Sequence, residues 1–150
     1  MAIRSSVKRI LVADPDPAAR NWFKQVLAGA SYDVSTARNG VDALRQAKLH
    51  PTDLVIFSLA IPEQERMDSI RDIRAAWPQV NVVATTPGSV LGPVTLRAAD
   101  LLGAQAIFTH PLASQSVLRR VRELLRSHPT PYTMNGDQAP NLSLRAGVQR

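Results

Sequence analysis

Five short apolar runs, separated by segments whose apolar residues recur at helical spacing, constrain this chain more than any other feature of its sequence. The runs are Arg9–Ala13, Tyr32–Ala37, Asp53–Leu59, Val80–Thr85 and Gln105–Thr109, each suited to a strand by its β-branched or aromatic content. The third is apolar almost throughout, as a parallel strand covered on both faces would be. Asp16 followed by Pro17 reads as an N-cap and first helical residue, ahead of an apolar stripe of Trp22, Phe23, Val26 and Leu27 that Gly29 closes. Further helices are expected over Val41–Lys48, Asp68–Trp77, Pro93–Leu102 with a stop at Gly103, and Ser114–Arg126. The last of these places Val117, Leu118, Val121, Leu124 and Leu125 on one face and Arg119, Arg122 and Arg126 on another. Fivefold alternation of strand and helix predicts an α/β fold, with right-handed crossovers and a parallel sheet between layers of helices.

A chain of 150 residues suits one domain rather than two. We assign it to residues 1–127 and read residues 128–150 as a flexible C-terminal tail, because that stretch holds three Pro and two Gly and has no apolar period. Docking of Leu142, Leu144 and Val148 on a neighbouring surface is the less favoured reading of the tail. No apolar run approaches the roughly 20 residues of a membrane span, so a membrane protein is not expected. Cys is absent, which excludes disulfides and thiolate metal centres. Val7–Ala13 is too short for a signal peptide and runs into acidic residues, which points to the cytoplasm. Net charge is +6. Residues 113–150 hold six basic and two acidic residues against twelve and ten in residues 1–112, so the last quarter carries most of the excess. A basic end attracts acidic partners or nucleic acid.

Ligands of open α/β sheets sit beyond the carboxyl ends of the strands. The residues there are Asp14, Pro15 and Asp16 after the first run, Ser58 closing the third, Thr86 after the fourth, and His110 with Pro111 after the fifth. Together with the segments Ile10–Arg20, Ala37–Leu44, Asp53–Pro62 and Gly103–Leu112, these give a sequence that resembles the receiver domain of two-component response regulators, the CheY-like family, over residues 7–126. The resemblance implies a flavodoxin-like, doubly wound (βα)5 sheet in strand order 2-1-3-4-5. It also implies a pocket in which two adjacent acids hold a divalent metal and a third carboxylate takes a phosphoryl group.

The residues depart from that chemistry. Asp14 matches the first acid, Pro15 stands at the second, and Ser58 stands at the phosphoacceptor. A serine cannot form an acyl phosphate, and a lone carboxylate is a poor Mg²⁺ site. Asp16 could substitute as a ligand but is better used as a helix cap. His110 stands at the family's lysine, with Asp14 as its expected partner, and Pro111 at the family's cis-proline. Thr86 matches the reporting hydroxyl, Ile107 stands at the switch aromatic, and the loop Ala60–Arg66 lacks the usual glycines. The chain therefore resembles a degenerate pseudo-receiver: no catalytic residue, no metal, no cofactor. Its expected role is in phosphorelay-type signalling, through phosphorylation-independent contacts with a signalling or effector protein, or as a homodimer. The expected surface is the fourth helix, fifth strand and fifth helix, carrying Arg97, Arg119, Arg122 and Arg126. Two alternatives rank below it. One is a nucleic-acid-associated regulator using the basic last helix and tail, disfavoured because no helix-turn-helix or aromatic-interleaved basic strand is present. The other is a weak hydrolase built on Asp14, Ser58 and His110, disfavoured because no nucleophile-elbow sequence surrounds Ser58.

Overall fold

The structure, a computed structural model, describes residues 7–88 and 92–126. Strand and helix alternate along them as β1 (Arg9–Ala13), α1 (Pro17–Gly29), β2 (Asp33–Ala37), α2 (Gly40–Leu49), β3 (Leu54–Ser58), α3 (Glu63–Ala76), β4 (Asn81–Thr85), α4 (Pro93–Leu102), β5 (Ala106–Phe108) and α5 (Ser114–Arg126). All pairings are parallel and the strand order is β2-β1-β3-β4-β5, the expected doubly wound sheet. Every residue of the central strand β3 is buried, as its unbroken apolar run requires.

Side chains that alternate across the strands feed two separate apolar layers. Leu11, Val55, Phe57 and Val82 pack with Ala43, Ile70, Ile73 and Leu102 of α2, α3 and α4. Ile10, Val12, Leu54, Ile56 and Val83 pack on the other face with Phe23 and Leu27 of α1 and Val117 and Val121 of α5. The strand order leaves β5 at an edge of the sheet, flanked by α4 on one face and α5 on the other.

Local chemistry sets the helix ends. Asp16 accepts a hydrogen bond from the Ala18 amide at 3.0 Å, and Asn39 caps α2 by accepting from the Asp42 amide at 2.8 Å. Gly103 ends α4 in the left-handed region at φ 78°, where a side chain would be strained. Gly40 opens α2 so close to α3 that a Cβ would meet Ser69 and Glu65, and its amide donates to Glu65 Oε2 at 2.6 Å.

One helix differs from expectation. α3 starts at Glu63 rather than Asp68, so Glu63–Arg66, read from sequence as part of a loop, form its first turn. The extended Pro62 delivers the chain into the helix, and Glu63 and Glu65 set negative charge against the positive end of its dipole. The glycine-poor loop therefore shrinks to the residues between Ser58 and Glu63, and the glycines are not needed. The remaining boundaries move by one residue at most at either end. The assigned tail, 128–150, lies outside the described residues. No helix among the described residues is long and apolar enough to cross a membrane.

Candidate functional site

Beyond the carboxyl ends of β1, β3 and β5 lies an open pocket of about 330 Å³ lined by Asp14, Pro15, Asp16, Ala19, Ser58, Ala60, Pro87 and His110. The fold thus brings together Asp14, Pro15, Ser58 and His110. Thr86 does not line it and is connected to it through the contact of its carbonyl with His110. Each arrives by a strand end: Asp14 follows β1, Ser58 closes β3, Thr86 follows β4, and His110 lies two residues past β5.

Asp14 is 6% exposed and has no ion-pair partner among the described residues. Its Oδ1 accepts from the Asp16 amide at 2.9 Å, while the nearby Arg20 spends its guanidinium on the backbone carbonyls of Asp14 and Pro15. Burial therefore pushes the Asp14 carboxyl above its ordinary value of 3.8, against the smaller opposing effect of the Asp16 amide. A carboxyl raised on folding favours the folded state at low pH. That advantage is fully present below the unfolded value and is lost as pH rises through the folded one. Asp14→Asn keeps an acceptor for the Asp16 amide and removes the buried charge. It is expected to melt above wild type at pH 7, with the difference closing as pH approaches 3.8; a mutant that melts lower at pH 7 would contradict the assignment of the cost to burial.

His110 does not pair with Asp14 as the sequence suggested. Its Nδ1 lies 2.7 Å from the Thr86 carbonyl oxygen. A carbonyl can only accept, so Nδ1 carries the proton in this contact, and the tautomer that makes it has Nε2 as its acceptor. The turn is tied further by the His110 amide, which donates to the Gly88 carbonyl, and the His110–Pro111 peptide is cis, as the resemblance implied. Ser58, 3% exposed, accepts from the Ala60 amide at 3.0 Å through its Oγ. The hydroxyl of Thr86 accepts from the Gly88 amide at 3.2 Å. A Ser-His-Asp relay would need the imidazole oriented by Asp14, and here the Thr86 carbonyl orients it instead.

The donor set does not fit a divalent metal. Pro15 has no ligating side-chain atom and its carbonyl accepts from Arg20, Asp16 caps α1, and one oxygen of Asp14 is already engaged. Among the described residues, no three or more His, Asp or Glu side chains group in a way that could hold a metal ion.

Sequence reasoning missed Arg66, which the loop assignment had placed outside any element. It is 6% exposed, and its Nη1 donates to the carbonyls of Leu59 at 2.9 Å and Ile61 at 2.6 Å, holding the segment that follows Ser58. Burial lowers its pKa. The signal available was position alone, an arginine in the first turn of a helix that the sequence did not reveal.

Ile107 lies in the core, 5% exposed, in the layer beneath α4. Arg97, Arg119, Arg122 and Arg126 are exposed on α4 and α5. Val94, 82% exposed, and Leu101, 43% exposed, share the outer face of α4 with Arg97. These two apolar positions were not singled out from sequence, where they merged into the apolar content of the helix.

The sequence profile described as "Response regulator receiver domain" matches residues 10–122. Among curated proteins, the chain is 31% identical over 137 residues to a "Probable transcriptional regulatory protein SilR" of Salmonella typhimurium, covering 91% of this chain and 59% of that protein. It is 30% identical over 119 residues to a "Response regulator MprA" of Mycobacterium sp. (strain KMS), covering 79% and 50%. The chain therefore spans half or somewhat more of these relatives' length. Among solved structures, it superposes on a response regulator from Thermotoga maritima with TM-score 0.71 at 20% identity, covering 81% of this chain and 100% of that one. It also superposes on a CheY-like receiver domain protein from Methanospirillum hungatei JF-1 with TM-score 0.69 at 23% identity, covering 80% and 94%.

Proposed function

The chain belongs to the response regulator receiver family, and from that premise we propose that it is a pseudo-receiver, a non-catalytic module of two-component signalling that works by protein contact without being phosphorylated. The observation that carries this reading is Ser58, a buried hydroxyl at the end of β3 where the family's chemistry needs a carboxylate. Pro15 beside it removes a metal ligand, and His110 spends its proton on a backbone carbonyl. Ile107, packed in the core at the switch position, has no ring to rotate.

The contact surface in this reading is the sheet edge formed by α4, β5 and α5. Arg97, Arg119, Arg122 and Arg126 supply positive charge there, and Val94 and Leu101 supply apolar area, a combination suited to an acidic partner protein. Self-association through the same edge is the second mode. The setting is cytoplasmic, and no bound cofactor is required.

Incubation with acetyl phosphate, or with beryllofluoride, in the presence of Mg²⁺ tests this reading. The intact mass and the amide spectrum around Ser58 and Thr86 are expected to stay unchanged. A gain of one phosphoryl mass, or a metal-dependent change confined to the pocket, overturns it.

A further inference from the structure

The strand-end pocket holds one buried negative charge and several unused acceptors, and among the described residues no Lys or Arg lines it. Asp14 is more than nine-tenths buried, and its engaged oxygen is Oδ1 alone. With Nδ1–H committed to Thr86, the neutral imidazole of His110 presents Nε2 as an acceptor. Ser58, also more than nine-tenths buried, receives one N–H from Ala60 and keeps a second lone pair. Of the remaining walls, Pro15, Ala19, Ala60 and Pro87 are apolar or lack side-chain donors, and Asp16 is an exposed carboxylate whose Oδ1 caps α1. Arg20, the nearby cation, is turned to backbone carbonyls. Leaving a carboxylate desolvated and unpaired costs free energy that a hydrogen-bonding cation would offset.

We propose that this pocket is a receptor for a single organic cation, a guanidinium or primary ammonium group, with Asp14 as its counter-ion and His110 Nε2 and Ser58 Oγ as hydrogen-bond acceptors. Such a group brings charge and several N–H donors at once, which matches the unused acceptors, whereas a bare divalent ion would need more oxygen ligands than Asp14 and the helix-capping Asp16 offer. The group can come from an Arg or Lys side chain of a partner or from a free polyamine. The proposal is independent of whether the basic α4–β5–α5 edge binds a partner, because it concerns a different part of the surface.

The test is an amide NMR titration of the full chain at constant ionic strength with methylguanidinium, n-butylammonium, tetramethylammonium and Mg²⁺ in separate series. Methylguanidinium or butylammonium is expected to produce saturable shifts at Asp16, Ala60 and His110. Tetramethylammonium, equal in charge but without N–H donors, is expected to leave them unmoved. Asp14→Asn is expected to weaken binding by about tenfold or more, and His110→Phe by about tenfold or less, as loss of a counter-ion and of one charge-assisted hydrogen bond imply. Thermal melts of both variants establish that they are folded at the titration temperature. Should the shifts fail to saturate, appear equally with tetramethylammonium, survive in Asp14→Asn, or arise at lower concentration with Mg²⁺, the proposal falls. Two further arms distinguish the sources: a short Gly/Ser peptide with one central Arg, which binds if a partner's side chain is the ligand, and spermidine, which binds in its place if a free polyamine is.

Discussion

Truncation of Phe57 to alanine is expected to lower the unfolding free energy by about 3–5 kcal/mol, a large share of the roughly 5–15 kcal/mol that holds a domain folded. Phe57 is fully buried near the end of β3. Its register partners on both sides are alanines, Ala13 on β1 and Ala84 on β4. The ring therefore fills space that its small neighbours leave open, and they have no side chain long enough to collapse into the vacancy. Phe57→Leu, which keeps most of the volume, should cost about 1.5 kcal/mol or less. Urea denaturation provides the measurement, with the midpoint shifted and the slope unchanged. A loss below about 1 kcal/mol for the alanine variant would mean that the layer relaxes far more than close packing allows.

The second large effect is expected at Arg66. Its guanidinium holds the Leu59 and Ile61 carbonyls, while its Nε is buried without a partner. Arg66→Ala removes the donors from two carbonyls and opens a hole beside α3, and is expected to cost about 2–3 kcal/mol. Arg66→Met keeps the stem and removes a desolvated charge, so it should lose less than the alanine variant. Amide shifts in both variants should concentrate at Ser58–Ile61. Stability equal to wild type in Arg66→Ala would show that the two carbonyls find other partners when the arginine is gone.

The parallel sheet was readable because each strand is a short apolar run and each crossover carries helical spacing, two periods that cannot be confused over this many repeats, whereas the strand order came from the resemblance to the receiver family. α3 was truncated because its first turn, Glu63–Arg66, is polar throughout and contributes no apolar stripe, so its helical state rests on the dipole and on tertiary contacts that no local pattern reveals. The site residues were legible because strand ends fix which positions converge. Their bonding was not. His110 and Asp14 both reach the pocket, but a carbonyl two residues before Gly88 captures the imidazole, and the position of a backbone carbonyl is invisible until the turn is built. Val94 and Leu101 carried no warning either, since an apolar residue on a helix reads as core until the opposing layer is known.

The separation of the interior into two apolar layers has a consequence for how this sequence can change. Val12 and Ile56 face each other in register and enter the same layer, so a substitution at one alters the room available to the other. Leu11, a chain neighbour of Val12, enters the opposite layer. Its substitutions and those of Ile56 share few neighbours, and their energetic effects approach simple addition. Epistasis in this domain therefore follows the pleat of the strands rather than distance along the chain, and the sheet acts as a partition that lets each layer drift and compensate within itself while the other is conserved.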